Sequence, residues 1–254
     1  MRQAIDLNCD LGESFGAFTM GCDEEILPLL SSASIACGFH AGDPEIMQRT
    51  VGLARQHAVS VGAHPSLPDL QGFGRRELSM TPKQVYALVL YQIGALAGFA
   101  KAAGVPLRHV KPHGALYNMA ARDAKLARAI ACAVRDFDAA LILYGLSQGE
   151  LCTAGREQGL FVAHEVFADR RYEADGALTP RGEPGAVIET PHEAAAQVLE
   201  IVREGRVTSR TGSAVAVTAD TVCLHGDRQD ALAFARAVRT ALDQAGVAVR
   251  AVVT

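Results

Sequence analysis

The chain has 254 residues, 49% of them hydrophobic and 20% charged, with a formal net charge of −4. That length suits one large domain or two small ones with a substantial core. Mild acidity, the lack of a Lys/Arg block and 6% aromatic content leave no footprint for nucleic acid.

No unbroken apolar run approaches the ~20 residues of a membrane span. The start of the chain carries Asp6, Asn8 and Asp10 where a secretory leader is apolar, and the six cysteines form no CxxC pair. The expectation is therefore a cytoplasmic globule with reduced thiols and no membrane contact.

Apolar runs at 4–9, 34–38, 59–63, 107–111, 139–144, 160–166 and 215–224 predict strands, the last with a break around 218–221. Helices are expected between them. Asp43 before Pro44 reads as an N-cap, and Thr81 with Gln84 as a capping box for a helix that Gly104 ends. Apolar residues recur at helical spacing over 122–137 and 229–245, and Ser147/Glu150 and Thr190/Glu193 repeat the capping signature. About seven strand-then-helix units predict an α/β fold, a (β/α)7-type parallel barrel forming one domain over 1–254. The alternative, an open doubly wound sheet, calls for a Gly-rich nucleotide turn after the first strand, and DLNCDLGESFG has no GxGxxG.

Strand alternation then locates polar side chains. In 4–11, Ile5, Leu7, Cys9 and Leu11 share one face and Asp6, Asn8 and Asp10 the other. With the apolar face against helices, two carboxylates and an amide point into the barrel, where charge must be paired, protonated or bound to a cation. His109, Lys111 and His113 repeat the pattern, with Lys111 placed to hold an anionic group or to pair with an aspartate across the mouth. His40, His64, His113 and His225 follow predicted strands, as do Glu165 and Asp169, and catalytic groups of such barrels gather at carboxyl ends of strands. Asp43 and Asp227 precede helices and are explained at least as well as caps. His57 and His192 read as surface or structural residues, and His109 as the weakest member of its group.

Two loops add candidates. Residues 71–76 place Gly72 and Gly74 beside Arg75 and Arg76, suited to close backbone approach and anion binding. Asp169 and Arg170 open a stretch running to Gly185 that has the length of a lid or binding loop. No Walker motif, GxSxG elbow or HExxH helix occurs.

Taken together, DLNCDLGESFG, IACGFHAGDP, AHPSLPDLQGFGRR, VKPHGALYN, FADRRY, PGAVI and LHGD resemble the lactam-utilization (LamB/YcsF) family, which includes the A subunit of prokaryotic 5-oxoprolinase. The resemblance implies a barrel of the glycoside hydrolase/deacetylase superfamily. It also implies ATP-dependent opening of 5-oxo-L-proline to L-glutamate in concert with B and C subunits, with Mg²⁺ expected and a homo-oligomer left open. Before PGAVI this chain has Thr179-Pro180-Arg181 where the family pattern has a Ser-Arg pair, and Arg181 is left off the core set.

The chemistry of a resonance-stabilised lactam suggests roles. ATP coupling points to a phosphorylated amide oxygen whose carbon water can attack. The expected catalytic set is Asp6, Asp10, Glu13, His40, His64, Lys111 and His113. Asp6 and Asp10 would hold Mg²⁺ or position the nucleophile, and Glu13 is a secondary carboxylate. Asn8, Arg75, Arg76, Glu165, Asp169, Arg170 and His225 are expected to bind substrate or phosphate. Two other readings stay open. Asp10, His40, His64 and His113 also suit a metal-dependent deacetylase or amidohydrolase, and the chain would alternatively be a lactam-binding component without catalysis.

Overall fold

The computed structural model describes residues 3–253. Its elements, in order, are β1 (Ala4–Leu11), α1 (Asp23–Ile26), β2 (Ser32–Ala36), α2 (Pro44–Gln56), β3 (Ser60–His64), α3 (Pro82–Ala102), β4 (Leu107–Val110), α4 (Gly114–Arg122), α5 (Ala124–Phe137), β5 (Ile142–Leu146), α6 (Glu150–Glu157), β6 (Phe161–Phe167), α7 (Pro191–Glu204), β7 (Arg206–Thr208), β8 (Ala214–Ala216), β9 (Thr221–His225), α8 (Ala231–Gln244) and β10 (Ala248–Val249).

Strands β1, β2, β3, β4, β5, β6 and β9 pair in parallel in that order, and β9 pairs back onto β1, closing a seven-stranded barrel. All seven predicted strands overlap these barrel strands. The last predicted run splits: Ala214–Ala216 leaves to form an antiparallel hairpin with Arg206–Thr208, and Thr221–His225 closes the barrel. The short β10 extends β1 at the floor, pairing Ala4 with Ala248.

Caps behave as expected at three helices. The Asp43 carboxylate accepts from Ile46 N at 2.9 Å, Thr81 and Gln84 form the reciprocal box, and Thr190 Oγ1 accepts from Glu193 N. The fourth is corrected: Gly149, not Ser147, caps α6, because Ser147 Oγ instead accepts from Thr218 N at 2.9 Å. Two helices, α1 and α4, have no counterpart among the predicted elements. At 21 residues α3 is long and apolar enough to cross a membrane, but its Val85, Leu88, Val89, Ile93 and Leu96 stripe is buried against the barrel layer.

The strand faces divide as alternation requires. Ile5, Leu7, Cys9 and Leu11 are buried in the apolar layer between barrel and helices, whereas Asp6, Asn8 and Asp10 are buried inside the barrel. One small residue makes the interior fit. A Cβ on Gly62 of β3 would lie 2.1 Å from the His109 ring, which stacks on Tyr144 at 4.3 Å.

Candidate active site

Lys111 stands at the centre of the barrel mouth, one residue past β4, where its N–H still bonds to Ala63 O at 2.9 Å. Its Nζ is 2.6 Å from Asp10 Oδ1, 2.9 Å from both Glu165 Oε1 and Asn8 Oδ1, and 3.1 Å from Cys223 Sγ. All three charged side chains are buried, so one cation faces two carboxylates in a site nearly stripped of water. Burial works against the ammonium, but Asp10, Cys223 and Glu165 outweigh it and hold its pKa well above the usual value. Burial likewise opposes the Asp10 carboxylate, yet His64 and Lys111 bring it well below the ordinary range.

Three imidazoles pack beside this cluster. His64 Nδ1 lies 2.6 Å from Lys111 O and His113 Nε2 lies 2.8 Å from Phe73 O. Carbonyl oxygens only accept, so each ring carries its hydrogen on that nitrogen. The remaining nitrogens, His64 Nε2 and His113 Nδ1, face each other at 3.0 Å, with Asp10 Oδ2 3.3 Å from the former and Glu13 Oε1 3.6 Å from the latter. His40 stacks on His113 at 3.7 Å and places Nε2 3.1 Å from Glu13 Oε1. Burial, then neighbouring imidazoles, keep His40 and His113 well below the usual histidine value and hence neutral.

Lone pairs of two imidazoles and a carboxylate thus converge within a buried cluster, each ring anchored through its far nitrogen to the backbone. That is the orientation of metal-ligating histidines, and Glu13, His40, His64 and His113 offer donor atoms all within 4.8 Å of one another. These residues fit a divalent transition ion better than Mg²⁺, which favours oxygen ligands.

A cavity of about 540 Å³ opens over the cluster, lined by Asp10, His64, Lys111, His113, Glu165 and His225 among others. His225 ends β9; its Nδ1 is 2.8 and 2.9 Å from the two oxygens of buried Asp169, leaving Nε2 for the cavity. Burial raises the Asp169 pKa, and His225 more than offsets it, so the net direction is down. Arg75 also lines the cavity; it pairs with Asp227 and lies over the Phe73 ring.

Several expectations are corrected. Asp6 is not at the mouth: it pairs with Thr221, the first residue of β9, whereas Asp10 pairs with His225, the last. The two carboxylates therefore sit about 13 Å apart along the strand and share no site. Asp6 accepts from Ser31, Ser32, Thr221 and Tyr144 hydroxyls at 2.6–3.1 Å, and burial raises its pKa. Asn8 is spent on Glu165, Thr221 and Lys111, so it orders the cluster and does not line the cavity. Glu13 and His40 lie behind His113, outside the cavity lining.

Arg76 turns away, with a 62% exposed side chain paired to Asp69. Asp169 reaches the cavity only through His225, whereas Arg170 lines it as expected while its buried side chain donates to Thr179 O and Ala186 O, clamping its own loop. Asp43 is a cap, but Asp227 is not, since Asp230 precedes α8. His109 belongs to β4, with Nε2 3.2 Å from Ser34 Oγ.

Tyr117, which sequence reasoning missed, and Arg181, which it left off the core set, also line the cavity. Tyr117 belongs to α4, whose Ala, Leu and Met content is a usable helix signal, and its buried hydroxyl lies beside Glu165.

The sequence matches the LamB/YcsF family over residues 5–254. The chain belongs to that family. Its similarity to other LamB/YcsF-type proteins runs nearly end to end. It is 60% identical to the 5-oxoprolinase A subunit of Tolumonas auensis over 247 residues, 97% of this chain and 98% of the relative. It is 57% identical to that of Bacillus subtilis, covering 98% and 96% of the two chains. The crystal structure of the lactam utilization protein from Thermus thermophilus superposes with a TM-score of 0.93 at 54% identity, covering 98% of this chain and all of that one. A T48 deacetylase shares the fold alone, with a TM-score of 0.51 at 14% identity over 97% and 86% of the chains. The LamB/YcsF barrel is thus of the deacetylase-like (β/α)7 kind.

Proposed function

We propose that this chain opens 5-oxo-L-proline to L-glutamate with ATP and Mg²⁺, as the A component of a three-part cytoplasmic 5-oxoprolinase acting with B and C subunits. The observation that carries the reading is the buried Lys111–Asp10–Glu165 cluster under a small-molecule cavity, in a chain about 60% identical to A subunits of 5-oxoprolinase. A cavity of this size suits one small ligand and the reacting end of another.

The reaction proceeds through a phosphorylated lactam and consumes two waters. The lactam oxygen takes the γ-phosphoryl group from ATP, with ADP leaving. Water adds to the imidate-like carbon and loses its proton. The C–N bond then breaks as nitrogen accepts a proton, giving an acyl phosphate, and a second water releases phosphate and leaves glutamate. In this scheme Lys111 and Arg75 neutralise charge on the lactam oxygen and its phosphoryl group. Asp10 and His64, in contact at 3.3 Å, orient water and take its proton. His225, held by Asp169 with Nε2 toward the cavity, delivers a proton to the departing nitrogen.

A second reading, metal-dependent amide hydrolysis without ATP, is favoured by the facing lone pairs of His64 and His113. There the ion would be held by His64, His113 and Glu13 and would supply Lewis acidity to the amide oxygen.

The test measures glutamate and phosphate release from 5-oxo-L-proline and Mg-ATP, with this chain alone and with its B and C partners. Coupled release only in the full mixture is expected. Metal-dependent, chelator-sensitive amide hydrolysis without ATP would replace the first reading with the second. Normal coupled turnover with Asp10→Asn and with Lys111→Ala would reduce this chain to a lactam-binding component.

A further inference from the structure

The cations around the cavity differ in what engages them. Lys111 is held by Asp10 and Glu165, Arg75 by Asp227, and Arg122 by Glu77. Arg170 donates to the Thr179 and Ala186 carbonyls. Among the described residues, Arg181 is the guanidinium on the cavity wall that no carboxylate or carbonyl engages.

Its position is built. Arg181 rides on the long loop from β6 to α7, which is pinned on both sides of it. Thr179 N bonds to Arg171 O, Ile188 N to Asp169 O, and the hydroxyl of fully buried Tyr172 accepts from Phe167 N at 2.7 Å. Pro180 fixes its own φ immediately before Arg181, and Glu183 N closes a turn onto Pro180 O at 2.9 Å. The arginine is therefore presented by a clamped segment and not by a free strand of loop.

The Arg181 side chain is exposed at the rim of the cavity, beside other guanidiniums. Desolvation, then Arg75, pull the Arg181 guanidinium below its ordinary pKa, and Arg181 in turn helps lower Arg170 to about 10. Arg75, Arg170 and Arg181 crowd one side of the cavity, where Asp227 pairs with Arg75 alone, an arrangement that an arriving anion relieves.

We propose that Arg181 is the oxyanion anchor of the cavity, a specificity residue that takes the substrate carboxylate as a bidentate pair. The inference rests on the reading of this cavity as the lactam site, and it adds what that reading lacks: a reason for choosing 5-oxoproline over an uncharged lactam. With the ring carbonyl at Lys111, the carboxylate is carried on the far side of the ring nitrogen and needs a cation that is not already committed. Arg181 meets that need with a planar fork matched to carboxylate geometry.

The experiment titrates the full chain with 5-oxo-L-proline, with 2-pyrrolidinone, which lacks the carboxylate, and with inorganic triphosphate. Wild type, Arg181→Gln and Arg181→Lys are compared after their circular dichroism and melting are shown to match. The expected result is that Arg181→Gln weakens 5-oxo-L-proline about 10- to 100-fold, leaves 2-pyrrolidinone unchanged, and is partly rescued by Arg181→Lys. Loss of triphosphate affinity with lactam affinity retained would overturn the carboxylate assignment and make the anchor a phosphate site. Unchanged affinity for every probe, or no binding of either oxyanion by wild type, would overturn the subsite altogether. Wild-type turnover of 5-oxo-L-proline by the three-component mixture is scored separately, so the parent reading stands or falls on its own.

Discussion

His64 and His113 meet nitrogen to nitrogen at 3.0 Å with both hydrogens turned away, each donated to a backbone carbonyl. Two lone pairs in contact beside Asp10 require a cation or an extra proton between them. We expect the metal-free chain to take up about one equivalent of a divalent transition ion by calorimetry, and His64→Gln or His113→Gln to weaken it about 10-fold or more. Full affinity in both variants would mean that this pair does not hold the ion.

Removing Lys111 strands two buried carboxylates. Lys111→Met is expected to abolish turnover and to cost about 3–5 kcal/mol in chemical denaturation. Asp10→Asn keeps the shape and one neutralising partner for Lys111, Glu165, so its stability cost is smaller while turnover is still lost. Similar stability losses in the two would count against this division of roles.

Gly62 is required by its neighbour. The His109 ring cannot retreat, being stacked on Tyr144 and bonded to Ser34, so Gly62→Ala should destabilise by at least the ~1–3 kcal/mol of ordinary overpacking. Adding His109→Ala should recover part of that loss, a coupling that a double-mutant cycle reads directly. Strict additivity would show that the clash is absorbed elsewhere.

The Asp169–His225 pair gives acid stability a sign. The Asp169 pKa is depressed in the fold, so its contribution is complete above the unfolded value, about 4, and is lost as pH falls through the folded one. Asp169→Asn should flatten this part of the acid unfolding curve followed by circular dichroism. It should also lower kcat more than KM, because the amide no longer fixes Nδ1–H on His225. An unaltered kcat would remove His225 from proton transfer.

Strands and faces were legible from alternation because each barrel strand has a helix layer on one side and the interior on the other. Alternation reports the face of a residue but not its depth. Asp6 and Asp10 therefore looked equivalent, although one lies among four hydroxyls at the floor and the other beside Lys111 at the mouth. Arg76 misleads for a related reason. Sequence shows a guanidinium but not its partner, so Arg76 reads like its neighbour Arg75 although Asp69 holds it away from the cavity that Arg75 and Arg170 line. Helix α4 escaped notice because it begins at Gly114, only four residues beyond β4.

The closure of β9 onto β1 also constrains how the molecule is made. Asn8 reaches Thr221 across 213 residues of sequence, and Asp10 lies opposite His225. A ribosome delivers β1 long before β9, its second neighbour in the barrel. A nascent chain with nearly every candidate side chain already outside the exit tunnel therefore still holds an open sheet with two bare edges and uncompensated charge inside. Assembly of the pocket waits for β9, and until that strand arrives the emerging chain depends on being kept from edge pairing.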